Sequence, residues 1–221
     1  MSTYEALPFI PRLFEGDTAS GCSEAREGPC TDATEDSTPD LDACVALWDK
    51  YAVPPHIRDH CRQVSLIVAT LGALAIEKGA VCSRPVLLAG AMLHDLAKFY
   101  TIQYGGNHAQ LGAAQVLKET KNFCVAHMVY HHVHWPWEVN VFNDRMLAPL
   151  LLVYADKRVK HDKIVSVEDR FEDLQKRYGH TELARKRITA SMYQGLEIEQ
   201  ALSKRLEVPI NEYSFDCRRL V

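Results

Sequence analysis

The chain has 221 residues, 47% of them hydrophobic, with a formal net charge of −4, enough for one domain with a sizeable core. The small negative charge excludes long-range attraction to duplex nucleic acid or an anionic membrane, although a local basic patch could still hold a phosphate. No apolar stretch is long enough for a bilayer span, and the first residues lack the basic start and hydrophobic run of a secretory signal, so a cytoplasmic protein is expected.

Residues 1–14 carry a small apolar cluster broken by Pro8 and Pro11 and are expected to dock as an extended arm. Residues 15–37 are rich in Gly, Ser, Thr, Glu and Asp, a composition that cannot offset the entropy of ordering, and read as a flexible acidic linker. A helical domain over residues 38–207 and a tail over 208–221 follow. Helical order is expected to start at Thr38-Pro39-Asp40, with Thr38 as N-cap and Pro39 at the first helical position. Pro54-Pro55 ends that helix and opens a second, in which Ile57, Cys61, Val64, Val68, Leu71 and Ala75 recur at three- and four-residue steps up to Gly79. His60 borders this stripe. Ser83-Arg84-Pro85 starts a helix whose residues 86–93 are apolar on every face, so other helices should surround it.

That apolar run stops at His94-Asp95, with Lys98 one turn on. Gly105-Gly106-Asn107 forms a loop and cap before a short helix whose first residue is His108, and Gly112 there lets a neighbouring backbone come close. Residues 123–132 read as a helix with His127 and His131 one turn apart. The aromatic loop Val133-His134-Trp135-Pro136-Trp137 comes next and could wall a pocket. Residues 147–159 form a strongly apolar helix in which Asp156 is the only carboxylate, followed by Lys157, Arg158, Lys160 and Lys163. Ser166-Val167-Glu168-Asp169 resembles a capping box for a helix ending at Tyr178-Gly179, and Thr181 caps a last long helix reaching about Arg205. With no repeat, no glycine-rich phosphate loop and no strand pattern of useful length, the expected fold class is an all-α helical bundle. The seven cysteines include no Cys-x-x-Cys pair and are expected to be reduced, core-filling thiols.

His60, His94, Asp95, His108, His131, His132 and Asp156 each lie inside or at the edge of a segment that reads as buried or amphipathic helix. Buried ionisable groups are costly unless paired or metal-bound. Nitrogen and carboxylate donors on facing helices are how a bundle builds a one- or two-metal site in its core. A hydrogen-bonded core histidine beside a capping Asp would explain one such pair, but not the whole set. Two choices stay open at the residue level: His56 against His60, and His132 against His131.

The ordered set His60, His94-Asp95, His108, His131 and Asp156, with Leu93-His94-Asp95-Leu96-Ala97-Lys98 at its centre, resembles the HD-domain superfamily of metal-dependent phosphohydrolases. The resemblance covers about residues 54–159, and Tyr154-Ala155-Asp156-Lys157 is similar to that family's last motif. His108-Ala109-Gln110-Leu111-Gly112-Ala113 and Tyr130-His131-His132 match the subgroup that holds two metals, similar to the bacterial dinucleoside-tetraphosphate hydrolases. The resemblance implies one metal held by His60, His94, Asp95 and Asp156. It implies a second held by His108 and His131 with Asp95 as a bridge.

Mixed imidazole and carboxylate donors suit one or two divalent ions such as Mn, Fe, Ni, Co, Zn or Mg. Lys98 could then reach a phosphate oxygen as a point charge, and Arg158 could clamp it bidentately. The expectation is a phosphohydrolase acting on a nucleotide or another small phosphorylated metabolite, with Asp95 and Lys98 in catalysis and Lys98 and Arg158 on the substrate. A di-iron oxygenase, a chemistry that some members of the superfamily perform with a similar ligand set, is the alternative. A metal-containing module that binds a ligand or partner without turnover is a third.

Overall fold

The structure, a computed structural model, describes residues 37–134 and 138–211. The arm and linker expected before residue 37, the Trp135-Pro136-Trp137 segment and the tail beyond residue 211 lie outside the described residues. The described residues form nine α-helices and one hairpin of two-residue strands, in the all-α arrangement expected.

Helix α1 (Leu41–Lys50) is capped by Asp40, whose carboxylate accepts from the Ala43 amide at 2.8 Å. The expected cap, Thr38, is engaged elsewhere, its hydroxyl accepting from Asn122 Nδ2 at 2.8 Å. Trp48 fastens α1 to the centre by donating from Nε1 to the Met92 carbonyl at 2.9 Å. Helix α2 (Pro55–Glu77) opens with Pro55 at its first position, where the missing N–H costs nothing. It buries His60 together with the predicted stripe from Ile57 to Ala75. Helix α3 (Arg84–Leu93) is buried on nearly every side, packing against α2 and the helix Phe123–His131.

The α3 ladder ends at Leu93. Over the next turn the bonds are three-residue ones, Leu96 N–H to Leu93 O and Lys98 N–H to Asp95 O, before α4 (Lys98–Tyr104) begins. His94 and Asp95 thus occupy a tightened break between two helices, almost fully buried at 0% and 1% exposure. Asn107 caps α5 (His108–Thr120), so His108 is its first helical residue, as the sequence suggests. At Gly112 the close neighbour is a side chain and not the backbone expected, because a Cβ there would come 3.2 Å from a Val129 methyl of α6 (Phe123–His131).

Helix α7 (Asp144–Lys157) starts three residues earlier than its apolar run suggests, because Asn143 supplies the cap by accepting from the Arg145 amide. It packs against α2, α3, α6 and the last helix, Glu182–Leu206, and is buried from Leu147 through Ala155 except at Ala148. The hairpin β1 (Val159–Lys160) and β2 (Lys163–Ile164) follows, then α8 (Val167–Tyr178), capped by Ser166 as read from the sequence, and α9 (Glu182–Leu206), capped by Thr181. Cys44, Cys61 and Cys82 are free thiols, as expected, whereas Cys124 is disulfide-linked. Among the described residues, no helix is long and apolar enough to cross a membrane.

Candidate metal centre

Four elements deliver side chains to one point: α2 brings His60, the α3–α4 break brings His94 and Asp95, α5 brings His108, and α7 brings Asp156. The residue just past α6, His132, completes the set. The donor atoms fall into two groups, His60, His94 and Asp156 in one and Asp95, His108 and His132 in the other. In the first, His60 Nε2 lies 2.9 Å and His94 Nε2 3.8 Å from Asp156 Oδ1. In the second, His108 Nε2 and His132 Nε2 are 3.0 Å apart and lie 3.6 and 3.7 Å from Asp95 Oδ1. Asp95 faces both groups, since its other oxygen, Oδ2, is 3.4 Å from His94 Nε2 and 4.0 Å from His60 Nε2. Donors about 2.0–2.2 Å from a shared cation sit about 3–3.5 Å from one another, so these spacings suit a cation in each group.

The ring orientations make the same point. Nδ1 of His94 lies 2.8 Å from the Ala91 carbonyl, Nδ1 of His132 2.6 Å from the Val129 carbonyl, and Nδ1 of His60 3.3 Å from the His161 carbonyl. A carbonyl oxygen only accepts, so each Nδ1 carries a hydrogen, and once the ring is neutral its Nε2 presents a lone pair towards the centre. This is the support that metal-binding imidazoles receive from the backbone. His94 Nε2 and Asp95 Oδ1 are buried without a hydrogen-bond partner, a costly state that a cation in each group would relieve.

Electrostatics prepare the donors. Burial pushes His108 down to about 4, and the neighbouring His132 adds to the effect, so its imidazole is neutral near pH 7. Burial works against ionisation of the Asp95 carboxyl, but the charges of Lys98 and His94 outweigh it and hold the group well below the usual carboxylate range. Asp156 is likewise held low, its burial outweighed by its bond to His60 and by the charges around it. Lys98 Nζ donates to Asp95 Oδ2 at 2.7 Å. On its open side the centre faces a cleft of about 550 Å³ whose wall includes His60, Asp95 and Lys98.

Of the eight residues singled out from the sequence, the structure brings six together: His60, His94, Asp95, Lys98, His108 and Asp156. The other two lie elsewhere. His131 turns away from the centre, its ring 4.5 Å from that of His127 and 4.9 Å from that of Tyr130, and its neighbour His132 takes the place beside His108. The spacing contained that signal: Cys124, Met128 and His132 form a buried stripe at four-residue steps, while Phe123, His127 and His131 form the more exposed one.

Arg158 is 2% exposed and spends its guanidinium on structure, donating to the Val165 and Ile210 carbonyls at 2.6 Å each and to the Tyr154 hydroxyl. It follows Asp156 by two positions, which on helical geometry points it away from the face carrying that carboxylate. His56, the alternative to His60, lines the outer cleft and belongs to neither donor group.

No curated protein and no solved structure matches the chain. A family model, described as the HD domain, matches residues 57–174, just over half of the 221 residues and the span that holds every donor of both groups. The two His/Asp clusters fit the one or two divalent-ion sites typical of HD enzymes and support hydrolase-type catalysis. With that match and the buried His-Asp pair at its centre, the chain belongs to the HD-domain family.

Proposed function

We propose that the protein is a metal-dependent phosphohydrolase acting on a nucleotide or another small phosphorylated metabolite. The observation that carries this reading is the double engagement of Asp95, one oxygen towards each donor group, with the Lys98 ammonium on the same carboxylate at the mouth of the cleft. His60, His94, Asp95 and Asp156 would hold one divalent ion, and His108, His132 and Asp95 a second. Bound there, such a pair supplies Lewis acidity, lowering the pKa of a water molecule and offsetting phosphoryl charge.

The chain's own residues do the rest. Asp95 fixes the spacing of the two groups because both of its oxygens are committed. Lys98 sits one turn from Asp95 with its side chain 33% exposed, so its ammonium can meet a phosphoryl oxygen arriving through the cleft and offset charge as it builds. The Nδ1 anchors keep the imidazoles from rotating away when substrate enters.

The test is metal analysis of the purified protein combined with a screen of phosphomonoesters, phosphodiesters and phosphoanhydrides supplemented with Mn, Fe, Ni, Co, Zn or Mg. Turnover that depends on bound metal and disappears in Asp95→Ala supports the reading. Oxygen consumption on a small organic substrate, without cleavage of any phosphate bond, overturns it in favour of the di-iron oxygenase. Intact metal with neither activity leaves the non-catalytic binding module.

A further inference from the structure

Lys160, Arg170 and Arg177 converge on a single carboxylate, Asp173, at 3.5, 3.9 and 3.3 Å. Three cations around one carboxylate leave a formal surplus of two positive charges. Arg170 is no free surface charge, since its side chain is only 13% exposed. Desolvating a guanidinium with a fraction of a counterion is unfavourable unless another anion completes the arrangement.

Position decides what that anion is. Arg170, Leu174, Arg177 and Tyr178 recur at four-, three- and one-residue steps and so share one face of α8. That face lines the same cleft that opens onto His60, Asp95 and Lys98. Arg177 is oriented in advance, its Nη2 donating to the Tyr178 hydroxyl at 2.9 Å and its guanidinium lying 5.0 Å from the centre of the Tyr178 ring. Ile57 of α2 and Ile102 of α4, the latter 72% exposed, add apolar surface to the cleft. Of the other carboxylates in its wall, Asp59 is paired with Arg62 and Asp95 with Lys98, both at 2.7 Å, and Asp162 is exposed on the hairpin turn. Arg177 and Tyr178 also lie past residue 174, where the family match ends, so the match itself assigns them nothing.

We propose that this face of α8 is a second anion subsite, which takes a second phosphate of the substrate. The scissile phosphoryl group sits at the metal centre beside Lys98, a second phosphate lies between Arg170 and Arg177, and the organic body packs on Ile102, Leu174 and Tyr178. The two subsites and the apolar surface occupy one continuous cleft of about 550 Å³, within the range of ligand pockets. Arginine suits the role because its planar fork binds phosphate bidentately. This assignment rests on the hydrolase reading for its chemistry, though not for its binding.

The experiment compares ATP with p-nitrophenyl phosphate, a compact ester without a second phosphate, on the Mn-loaded full chain. In Arg170→Ala and Arg177→Ala, the ratio of kcat/KM for ATP over p-nitrophenyl phosphate should fall roughly 10- to 100-fold, mainly through KM for ATP, as expected for loss of a charged hydrogen bond. Arg177→Lys should recover part of the loss. Lys186→Ala, on exposed α9 and paired with Glu182, is the control whose ratio should stay at the wild-type value. Arg177 has a 42% exposed side chain, so its variant tests the idea even if Arg170→Ala folds poorly.

Calorimetric titration with the non-hydrolysable analogue adenosine 5′-(β,γ-imido)triphosphate reads binding alone, and its affinity should drop about tenfold or more in Arg177→Ala. A ratio and an affinity that stay within threefold of wild type in the arginine variants overturn the subsite. A wild-type protein that binds the analogue through Arg177 yet cleaves no phosphate compound keeps the subsite and removes the hydrolase reading.

Discussion

Replacing His132 by alanine should cost the second donor group its metal, whereas the same change at His131 should not. The His132 ring is 1% exposed, with Nδ1 tied to Val129 and Nε2 aimed at the point it shares with His108 and Asp95 Oδ1. Its loss leaves that group with one imidazole and one carboxylate oxygen. Removing a partner that merely orients a ligand costs 10- to 100-fold in affinity, so losing a ligand itself should cost at least about 100-fold. At a metal concentration 100 times the wild-type Kd, binding contributes about 2.7 kcal/mol to stability, and after a 100-fold loss only about 0.4 kcal/mol remains.

The difference of about 2.3 kcal/mol corresponds to about 5–9 °C in Tm for a domain of this size. The assay is the metal-induced Tm shift, measured against an EDTA-treated sample of the same variant, alongside elemental analysis after equilibrium dialysis. Referring each variant to its own metal-free state removes the direct effect of the cavity. His132→Ala should bind about one ion per chain where wild type binds about two, and His131→Ala should match wild type. A His132→Ala protein that retains both ions while His131→Ala loses one would refute the geometry and restore the arrangement that the family resemblance implied.

Lys98→Ala should slow hydrolysis of the best phosphate substrate roughly 10²–10³-fold, or about 3–4 kcal/mol, with metal content retained; a wild-type rate removes Lys98 from the mechanism. Arg158→Ala should lower stability by about 3 kcal/mol, because the buried Ile210 carbonyl and the part-buried Val165 carbonyl lose a charged donor and Glu199, 3.8 Å away, loses a neighbouring cation. Its folded fraction should hydrolyse substrate with wild-type KM, and a large rise in KM would return Arg158 to the substrate. His131 is pushed down to about 4 by burial and then by His127, so between about pH 6.5 and 4 the unfolded chain binds more protons than the folded one at this residue. Stability from this source is therefore fully present above pH 6.5 and lost on acidification through that window. Denaturant titrations of metal-free protein should show a shallower acid loss in His131→Leu than in wild type, and equal slopes would contradict the assignment.

Much of the centre was legible because its donors interrupt apolar helices. His60 beside the α2 stripe, His94-Asp95 at the end of α3 and Asp156 as the only carboxylate in the apolar run of α7 all break a pattern that burial imposes. The choice between His131 and His132 was not legible from the histidines alone. They are adjacent at the end of a helix, so the answer depends on which side of α6 packs inward, and the stripe through Cys124 and Met128 carries that information. Arg158 was misplaced for the opposite reason: adjacency to Asp156 in sequence suggested adjacency in space, although a step of two residues on a helix separates the side chains. The cap of α1 moved from Thr38 to Asp40 because a long-range partner, Asn122, engages the threonine hydroxyl, and nothing local in the sequence announces it. The basic face of α8 escaped notice because its charges look like an ordinary solvated surface until the fold turns them towards the cleft.

The anchoring of His132 to a backbone carbonyl gives the centre a mechanical handle outside itself. Val129 holds the ring through its carbonyl, and the side chain of the same residue lies where a Cβ on Gly112 would approach to 3.2 Å. A methyl group at position 112 therefore presses on the residue that aims the imidazole, shifting the helix end by a few tenths of an ångström without touching any donor. Because the rings are oriented when the chain folds, such a shift reaches the donor atoms undiminished instead of being absorbed by rotation of a loose side chain. Cation affinity in this protein is thus set partly by how closely α5 and α6 pack, and small residues along that seam act on the metal centre by leverage.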